Sequence, residues 1–313
     1  MFVLSSKSSE REFILSVLLI LFVIPISTVF PQSAEQLKFH SERIAFGEIE
    51  VKRNSLYELR NFASESASRV AIPALKDLSE IVRATATHSV VYLPKDEAAQ
   101  ILLPHLNEKS RYVRRETAYA LGKVGSPAAT ERLVSLLQKD KEREVRTACA
   151  VALGLIGDVR AVEGLVSVLL KKPRAKEIFI RRAAAKSIGQ IAQNVQTQVP
   201  TTTTPESFLP EKYKIIKRPR FRRLVEAHSV FETANKRLIN VLENIKEAGD
   251  VRREAAFALG EIGDASSIDV LKSKLNDPDY YLREISKEAL RKVYISVNYS
   301  NSDSLPKEQT RIK

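Results

Sequence analysis

Few residues of this chain belong to the types that do chemistry, and their spacing does not group them. There are four histidines, His40, His88, His105 and His228, and one cysteine, Cys149. A zinc site needs ligands at short, repeated spacings, and no two of these five residues are so placed. A lone cysteine can form no internal disulfide. No phosphate loop, Gly-x-Ser-x-Gly elbow or dinucleotide fingerprint occurs. His88 and His105 fall inside helical patterns, where structural or surface roles are expected. Cys149 takes a register filled elsewhere by Thr117, Ala184 and Ala255, a small buried position. The residues alone therefore predict no catalytic, cofactor-binding or metal-binding site, and a chain that is not an enzyme.

The remaining chemistry is charge. Among 313 residues, 50 are Lys or Arg and 38 Asp or Glu, giving a formal net charge of +12. Such a balance permits attraction to acidic proteins, anionic lipid or nucleic acid without selecting among them. Its densest part is Lys212, Lys214, Lys217, Arg218, Arg220, Arg222 and Arg223, interleaved with Tyr213, Ile215, Ile216 and Phe221. Two readings of this segment stand: a docking element for an anionic partner, or a solvated basic loop whose aromatics lie against the rest of the fold.

A second set of cations recurs at fixed distance. Val113-Arg114 returns as Val145-Arg146 thirty-two residues later, and Val82-Arg83 lies thirty-one residues before it. Val51-Lys52, Ile180-Arg181, Val251-Arg252 and Leu282-Arg283 extend the series to seven registers. Eight positions after the Arg stand Gly122, Gly154, Gly189 and Gly260, and three further on Gly125, Gly157 and Gly263. Arg83, Arg114, Arg146, Arg181, Arg252 and Arg283 share the scaffold's own period. A structural role is expected for them, bonding turn carbonyls or carboxylates such as Asp140, Asp158, Asp264 and Asp277. Arg115, Arg182 and Arg253, one position later, are expected to face solvent and to be available to a partner.

These registers imply the elements that carry them. Within each unit the small and apolar residues fall three and four apart, the signature of one helix face. Ala118, Ala120 and Leu121 match Ala150, Ala152 and Leu153. Small side chains let neighbouring helices approach, and the second glycine lets the chain leave the helix and reverse. A second helix follows, with Leu133, Leu136 and Leu137 as its stripe in one unit. One such hairpin cannot bury its apolar face alone, so the units must stack into a continuous core. The prediction is an all-α fold, a right-handed α-solenoid of about six to seven short helix hairpins.

The units, best seen at 145–158 and 251–264, resemble HEAT repeats of the short kind found in phycobilisome-lyase-like proteins. The resemblance covers roughly residues 51–295 and implies a solenoid. It brings two enzymes into view, bilin lyases and deoxyhypusine hydroxylase. The latter's di-iron site resembles His-Glu pairs on successive repeats, and this chain contains no His-Glu dipeptide.

The units do not fill the chain. Residues 13–24 form a compact apolar run followed by Pro25, which reads as an export signal or, extended, as a membrane anchor. The expected organisation is a signal peptide or anchor at 1–34, a linker or cap at 35–50, repeats at 51–193 and 231–295, and a disordered polar tail at 296–313. Between them, residues 194–230 are a Thr/Pro-rich and then basic, flexible insertion at the turn of the fifth unit. The function expected is a non-enzymatic protein–protein interaction scaffold, exported or anchored in a bacterial envelope. It would meet an acidic protein, or an anionic membrane surface, through its second helices and the insertion. Arg132, Lys171, Lys172, Lys236, Lys272 and Lys274 lie on or beside those helices. The alternatives are a lyase-like or chaperone-like accessory protein acting on a protein-bound cofactor, and a cytoplasmic nucleic-acid-binding solenoid. Nucleic acid drops out if the chain is exported.

Overall fold

The computed structural model describes residues 34–197 and 224–302. Among the described residues there are fifteen α-helices and no strand. Helix α1 (Ala34–Phe46) precedes a series of pairs: α2 (Ile49–Asn61) with α3 (Glu65–Ala71), and α4 (Glu80–Ser89) with α5 (Lys95–Leu102). Then come α6 (Arg111–Val124) with α7 (Thr130–Lys139), and α8 (Arg143–Ile156) with α9 (Val162–Leu170). Helix α10 (Ile178–Thr197) is followed by the short α11 (Leu224–Ala227) and by α12 (Val230–Glu243). Helices α13 (Gly249–Ile262), α14 (Ile268–Ser273) and α15 (Tyr280–Ser302) complete the series.

One unit shows why this sequence folds so. In α6 the residues Val113, Thr117, Ala118, Ala120 and Leu121 are fully buried, a stripe at helical spacing. The helix stops at Gly125, whose φ of 68° places it in the left-handed region. Its N–H reaches Leu121 O at 2.9 Å, the bond of an αL cap. Ser126 then accepts from Ala128 N, and Pro127 opens a 3₁₀ turn that delivers the chain into α7. Asp158 and Asp264 do the same work in their units, accepting from Arg160 N and Ser266 N. Helix α7 returns antiparallel and buries Leu133, Leu136 and Leu137.

First helices stack on first helices: α4 on α6, α6 on α8, α8 on α10, α10 on α13 and α13 on α15. The other glycine of the pattern explains how closely they lie. A Cβ built on Gly122 would stand 2.7 Å from Ala152 Cα of the next unit. The second helices α7, α9, α12 and α14 form the other layer, and one continuous apolar core runs between the two. Helix α12 packs on α9 and buries Phe231 fully, so the stacking resumes after the segment 198–223. This is an α-solenoid.

Two details depart from the periodicity. Helix α10 runs on to Thr197, where Gln196 Nε2 donates to Glu261 O at 2.8 Å, and α15 continues to Ser302, into the segment that composition assigns to the tail. Export or anchoring is corrected. Among the described residues no helix is long and apolar enough to cross a membrane, and the apolar run at 13–24 lies outside them. The envelope assignment is withdrawn.

Candidate binding groove

The arginines of the first register are spent inside the fold. Arg114 Nε and Nη2 donate to the two carboxylate oxygens of Asp140 at 2.7 and 3.0 Å. Its Nη1 reaches Glu108 O and Lys109 O at 2.8 and 3.0 Å. Each such fork therefore ties the turn that opens its own unit to the turn that opens the next, a bidentate geometry suited to guanidinium. Arg83 does so with Glu108 at 3.0 Å and Asp77 O at 2.8 Å, and Arg252 with Asp277 at 2.7 Å and Leu242 O at 3.3 Å. Lys52 reaches Asp77 at 2.7 Å. Arg283 Nη1 holds Asp277 O at 2.8 Å. Arg181 and Glu247 are the buried pair of the series, 2% and 1% exposed. Arg146 has no such partner among the described residues. Burial would raise the pKa of Asp77, Asp140 and Asp277. The cation and backbone N–H on each outweigh it and hold the carboxyls below their usual range.

Arg115, Arg182 and Arg253 lie one residue further round the helix, on the face of the first-helix layer. Each is half-exposed and each meets a carboxylate: Arg115 with Glu116 at 2.6 Å, Arg182 with Asp250 at 3.7 Å, Arg253 with Asp279 at 2.8 Å. Arg115 and Arg253 also lie over the rings of Tyr112 and Tyr281, with guanidinium carbons 5.7 and 5.1 Å from the ring centres. Of the insertion, Lys212, Lys214, Lys217, Arg218, Arg220, Phe221, Arg222 and Arg223 lie outside the described residues.

These three arginines border a row of grooves along the first helices. The largest, about 890 Å³, crosses α6, α8, α10 and α13. Its floor is apolar: Val151, Leu155, Phe179 and Ile180, with Phe179 70% and Leu155 53% exposed. Five cations, Arg115, Arg143, Lys176, Arg182 and Lys186, face three carboxylates, Glu116, Glu144 and Glu254. Lys176 and Lys186 have no ion pair among the described residues. Burial pushes the Glu254 carboxyl up against the pull of Lys186 and Arg182.

The row continues at both ends. Towards the amino terminus, a groove of about 640 Å³ lies over α2, α4 and α6 and shares Arg115 and Glu116 with the first. There His88 Nε2 lies 2.7 Å from Glu116, whose carboxyl is lowered by that bond and by Arg115 against the effect of burial. The pair fixes the orientation of the imidazole. Towards the carboxyl terminus, a groove of about 530 Å³ shares Arg182 and Glu254 and carries three cations against five carboxylates. The face thus passes from basic in the middle to acidic at the far end.

On the second helices, Arg132 borders a shallower groove of about 650 Å³ and bonds to Asn107, while Lys236 pairs with Glu232 at 2.7 Å. Lys171 and Lys172 stand in the turn after α9, and Lys272 and Lys274 at the end of α14. The other candidates are held in the fold. His105 is half-buried 3.8 Å from Glu108, His40 packs between the rings of Phe39 and Phe62, and burial lowers the pKa of both. His228 packs edge-on to Phe231. Cys149 is fully buried, and burial raises its thiol far above the ordinary range.

Sequence reasoning missed Lys176, Phe179, Lys186 and Leu155. Their signal was the three- and four-residue spacing of the outer stripe, 143, 147, 151 and 155 on α8 and 176, 179, 182 and 186 at and after the start of α10. It is masked because that stripe mixes charged, small and apolar residues.

Stacked helix hairpins, capped alike and tied by a repeated arginine, define the class. The chain contains HEAT repeats: the family model described as HEAT repeats matches residues 99–178 and 235–306. Among curated proteins, a deoxyhypusine hydroxylase of Aspergillus niger is 50% identical over 48 residues, which span 15% of this chain and 14% of that protein. Among solved structures, the complex of CpcE and CpcF of phycocyanin lyase from Nostoc sp. PCC7120 is similar at 18% identity and a TM-score of 0.44, covering 90% of this chain and 98% of that one. Human deoxyhypusine hydroxylase in complex with glycerol is similar at 19% identity and a TM-score of 0.37, covering 83% and 96%.

The expectation that the chain is not an enzyme is corrected by the stretch it shares with an enzyme, and is withdrawn. Among the described residues, no group of three or more His, Cys, Asp or Glu side chains is placed to hold a metal ion, so no step through a metal is derived.

Proposed function

We propose that this HEAT-repeat chain is a scaffold that binds an acidic segment of another protein along its first-helix groove. The observation that carries the reading is the composition of the central groove: five cations over an apolar floor, with Lys176 and Lys186 unpaired among the described residues and Phe179 and Leu155 exposed beside them. Exposed apolar side chains ringed by like charges suit a peptide that alternates acidic and apolar residues. The acidic far end of the face would repel such a segment and confine it to the basic stretch. The basic run at 212–223 belongs to the same proposal as a second cationic element.

The test is fluorescence anisotropy with a labelled acidic-apolar peptide, at low and at physiological salt. Reversal of two charges by K176E/K186E is expected to weaken binding at least tenfold, about 1.4 kcal/mol, and to flatten its salt dependence. Affinity unchanged by the reversal overturns the groove as the binding site.

The stretch shared with deoxyhypusine hydroxylase favours a second reading, that relative's activity. Incubating the purified chain with a deoxyhypusine-bearing protein and measuring hydroxylated product by mass spectrometry tests it; no product above a blank rejects it.

A further inference from the structure

We propose that the ladder of arginines contains a vacant rung, at Arg146, and that a carboxylate of the acidic partner fills it. The inference rests on the acidic-partner reading above and adds a second point of contact to it.

At the neighbouring rungs the cation meets the carboxylate that opens the next unit: Lys52 and Asp77, Arg83 and Glu108, Arg114 and Asp140, Arg252 and Asp277, all at 2.7–3.0 Å, and Arg181 and Glu247 across the insertion. The acid stands twenty-five residues after Lys52, Arg83 and Arg252 and twenty-six after Arg114, and the residues at those two distances from Arg146 are Lys171 and Lys172. The acid that belongs in this turn is replaced by a cation, with Arg174 beside the pair. All three are exposed, and none has an ion pair among the described residues.

Arg146 itself shows the consequence. Its Nε is buried with no hydrogen-bond partner. Among the described residues its guanidinium holds neither a carboxylate nor the turn carbonyls that the other arginines hold. The acid it influences is Asp140, whose acidity it strengthens, and both oxygens of Asp140 are already taken by Arg114. Arg146 as a whole is only partly buried, but its shielded Nε lacks an acceptor, which makes an incoming one favourable. The remainder of the turn is built as elsewhere. Lys171 O receives Arg181 Nη1 at 2.7 Å, and Lys176 O receives Arg143 Nη1 at 2.8 Å. Among the described residues the acid is absent, and so are the bonds from Arg146 to the carbonyls of its own turn. A guanidinium fork with its turn in place and three free cations around it selects a planar carboxylate. Lys176, in the same connection, lines the central groove, as do Arg143 and Thr147 on the same helix as Arg146.

The experiment uses the full chain and a labelled, capped hexaglutamate peptide, with hexaglutamine as control. K172E supplies the missing acid from within the chain, and R146Q removes the fork while keeping its length. The expected result is that the chain binds hexaglutamate, that each variant weakens this by about tenfold, and that K172E alone raises the melting temperature. If hexaglutamate binds and yields to K176E/K186E while K172E and R146Q leave it unchanged, the rung is overturned and the groove reading stands. Weakening by K172E without weakening by R146Q is a general charge effect and also overturns it. No binding of hexaglutamate by the unaltered chain overturns both.

Discussion

Neutralising Glu247 tests whether the buried ion pair holds the two parts of the array together. Arg181 lies on α10 and Glu247 in the turn before α13, sixty-six residues apart in sequence and almost without solvent contact. Glu247→Gln keeps the side chain's size and leaves a buried guanidinium without its counter-charge. Breaking a buried pair in this way costs about 3–5 kcal/mol. Here Arg181 Nη1 retains Val168 O at 3.1 Å and Lys171 O at 2.7 Å, so the loss falls near the lower end, about 3 kcal/mol. For a cooperative unit of this size that lowers the melting temperature by roughly 6–12 °C. The reference is Glu97→Gln at the pair with Arg69, whose side chains are 35% and 48% exposed. An exposed, solvent-screened pair of this kind contributes little to stability. Thermal melts followed by far-ultraviolet circular dichroism compare the two variants. Replacing both partners, Arg181→Met with Glu247→Leu, recovers most of the loss, because no charge is then left buried. A Glu247→Gln loss no greater than that of Glu97→Gln refutes the reasoning, and so does a double variant as unstable as the single one.

Three further outcomes follow from packing and protonation. Gly260→Ala brings a Cβ to 2.6 Å from Ala289 Cα and forces α13 and α15 apart, at a cost of about 1–3 kcal/mol by chemical denaturation. Gly249→Ala, at the start of the same helix with nothing nearer than 3.5 Å, leaves stability unchanged or raises it by up to about 1 kcal/mol. Cys149 is shielded and its thiol is held protonated, so a thiol reagent modifies it only at the rate at which the fold opens; rapid stoichiometric labelling of the folded chain counts against this. Stability falls with acid in two windows. His40 and His105 are lowered by burial, so the unfolded chain takes up their protons first as pH drops below about 6.5. Asp77, Asp140 and Asp277 are held below the usual range, so their contribution is complete above about pH 4 and lost as pH falls through their native values. Denaturation midpoints across pH check both: His105→Gln reduces the first loss and Asp140→Asn the second.

What was legible in the sequence is what repeats, because repetition reports the geometry every unit shares. Gly125 is visible since only a residue at ease at positive φ ends α6 there, and Gly122 since the next helix lies where its side chain would be. The arginine register was legible as a recurrence, but its partners follow from position in the turn and not from residue type. Asp140 and Asp277 open units and meet Arg114 and Arg252. Asp158 and Asp264 follow first helices and cap the 3₁₀ turns instead, accepting from Arg160 N and Ser266 N. Glu247 was hidden by the insertion, whose length removes any fixed spacing to Arg181. The groove was hidden for another reason. Its lining comes from four helices between Arg115 and Glu254, and each contributes too few residues to make a pattern of its own.

Net charge is a poor guide to where this chain can attract a partner. Arg83, Arg114, Arg181 and Arg252 are counted in it, yet each is neutralised within the fold by a carboxylate from the next turn. Arg115, Arg182 and Arg253 are partly neutralised on the surface. A ladder of this kind makes free charge depend on where the alternation of cation and acid breaks, since an unbroken rung contributes no net charge at all. Among the described residues the break falls at one connection, between α9 and α10, where Lys171, Lys172, Arg174 and Lys176 stand within six residues. Lys176 of that connection lines the groove of about 890 Å³, as does Lys186. The same substitution that removes an internal tie therefore concentrates unpaired charge beside an apolar floor. A lost rung leaves one junction of the stack without its tie, and under the proposal above that junction is where an acidic chain would be held.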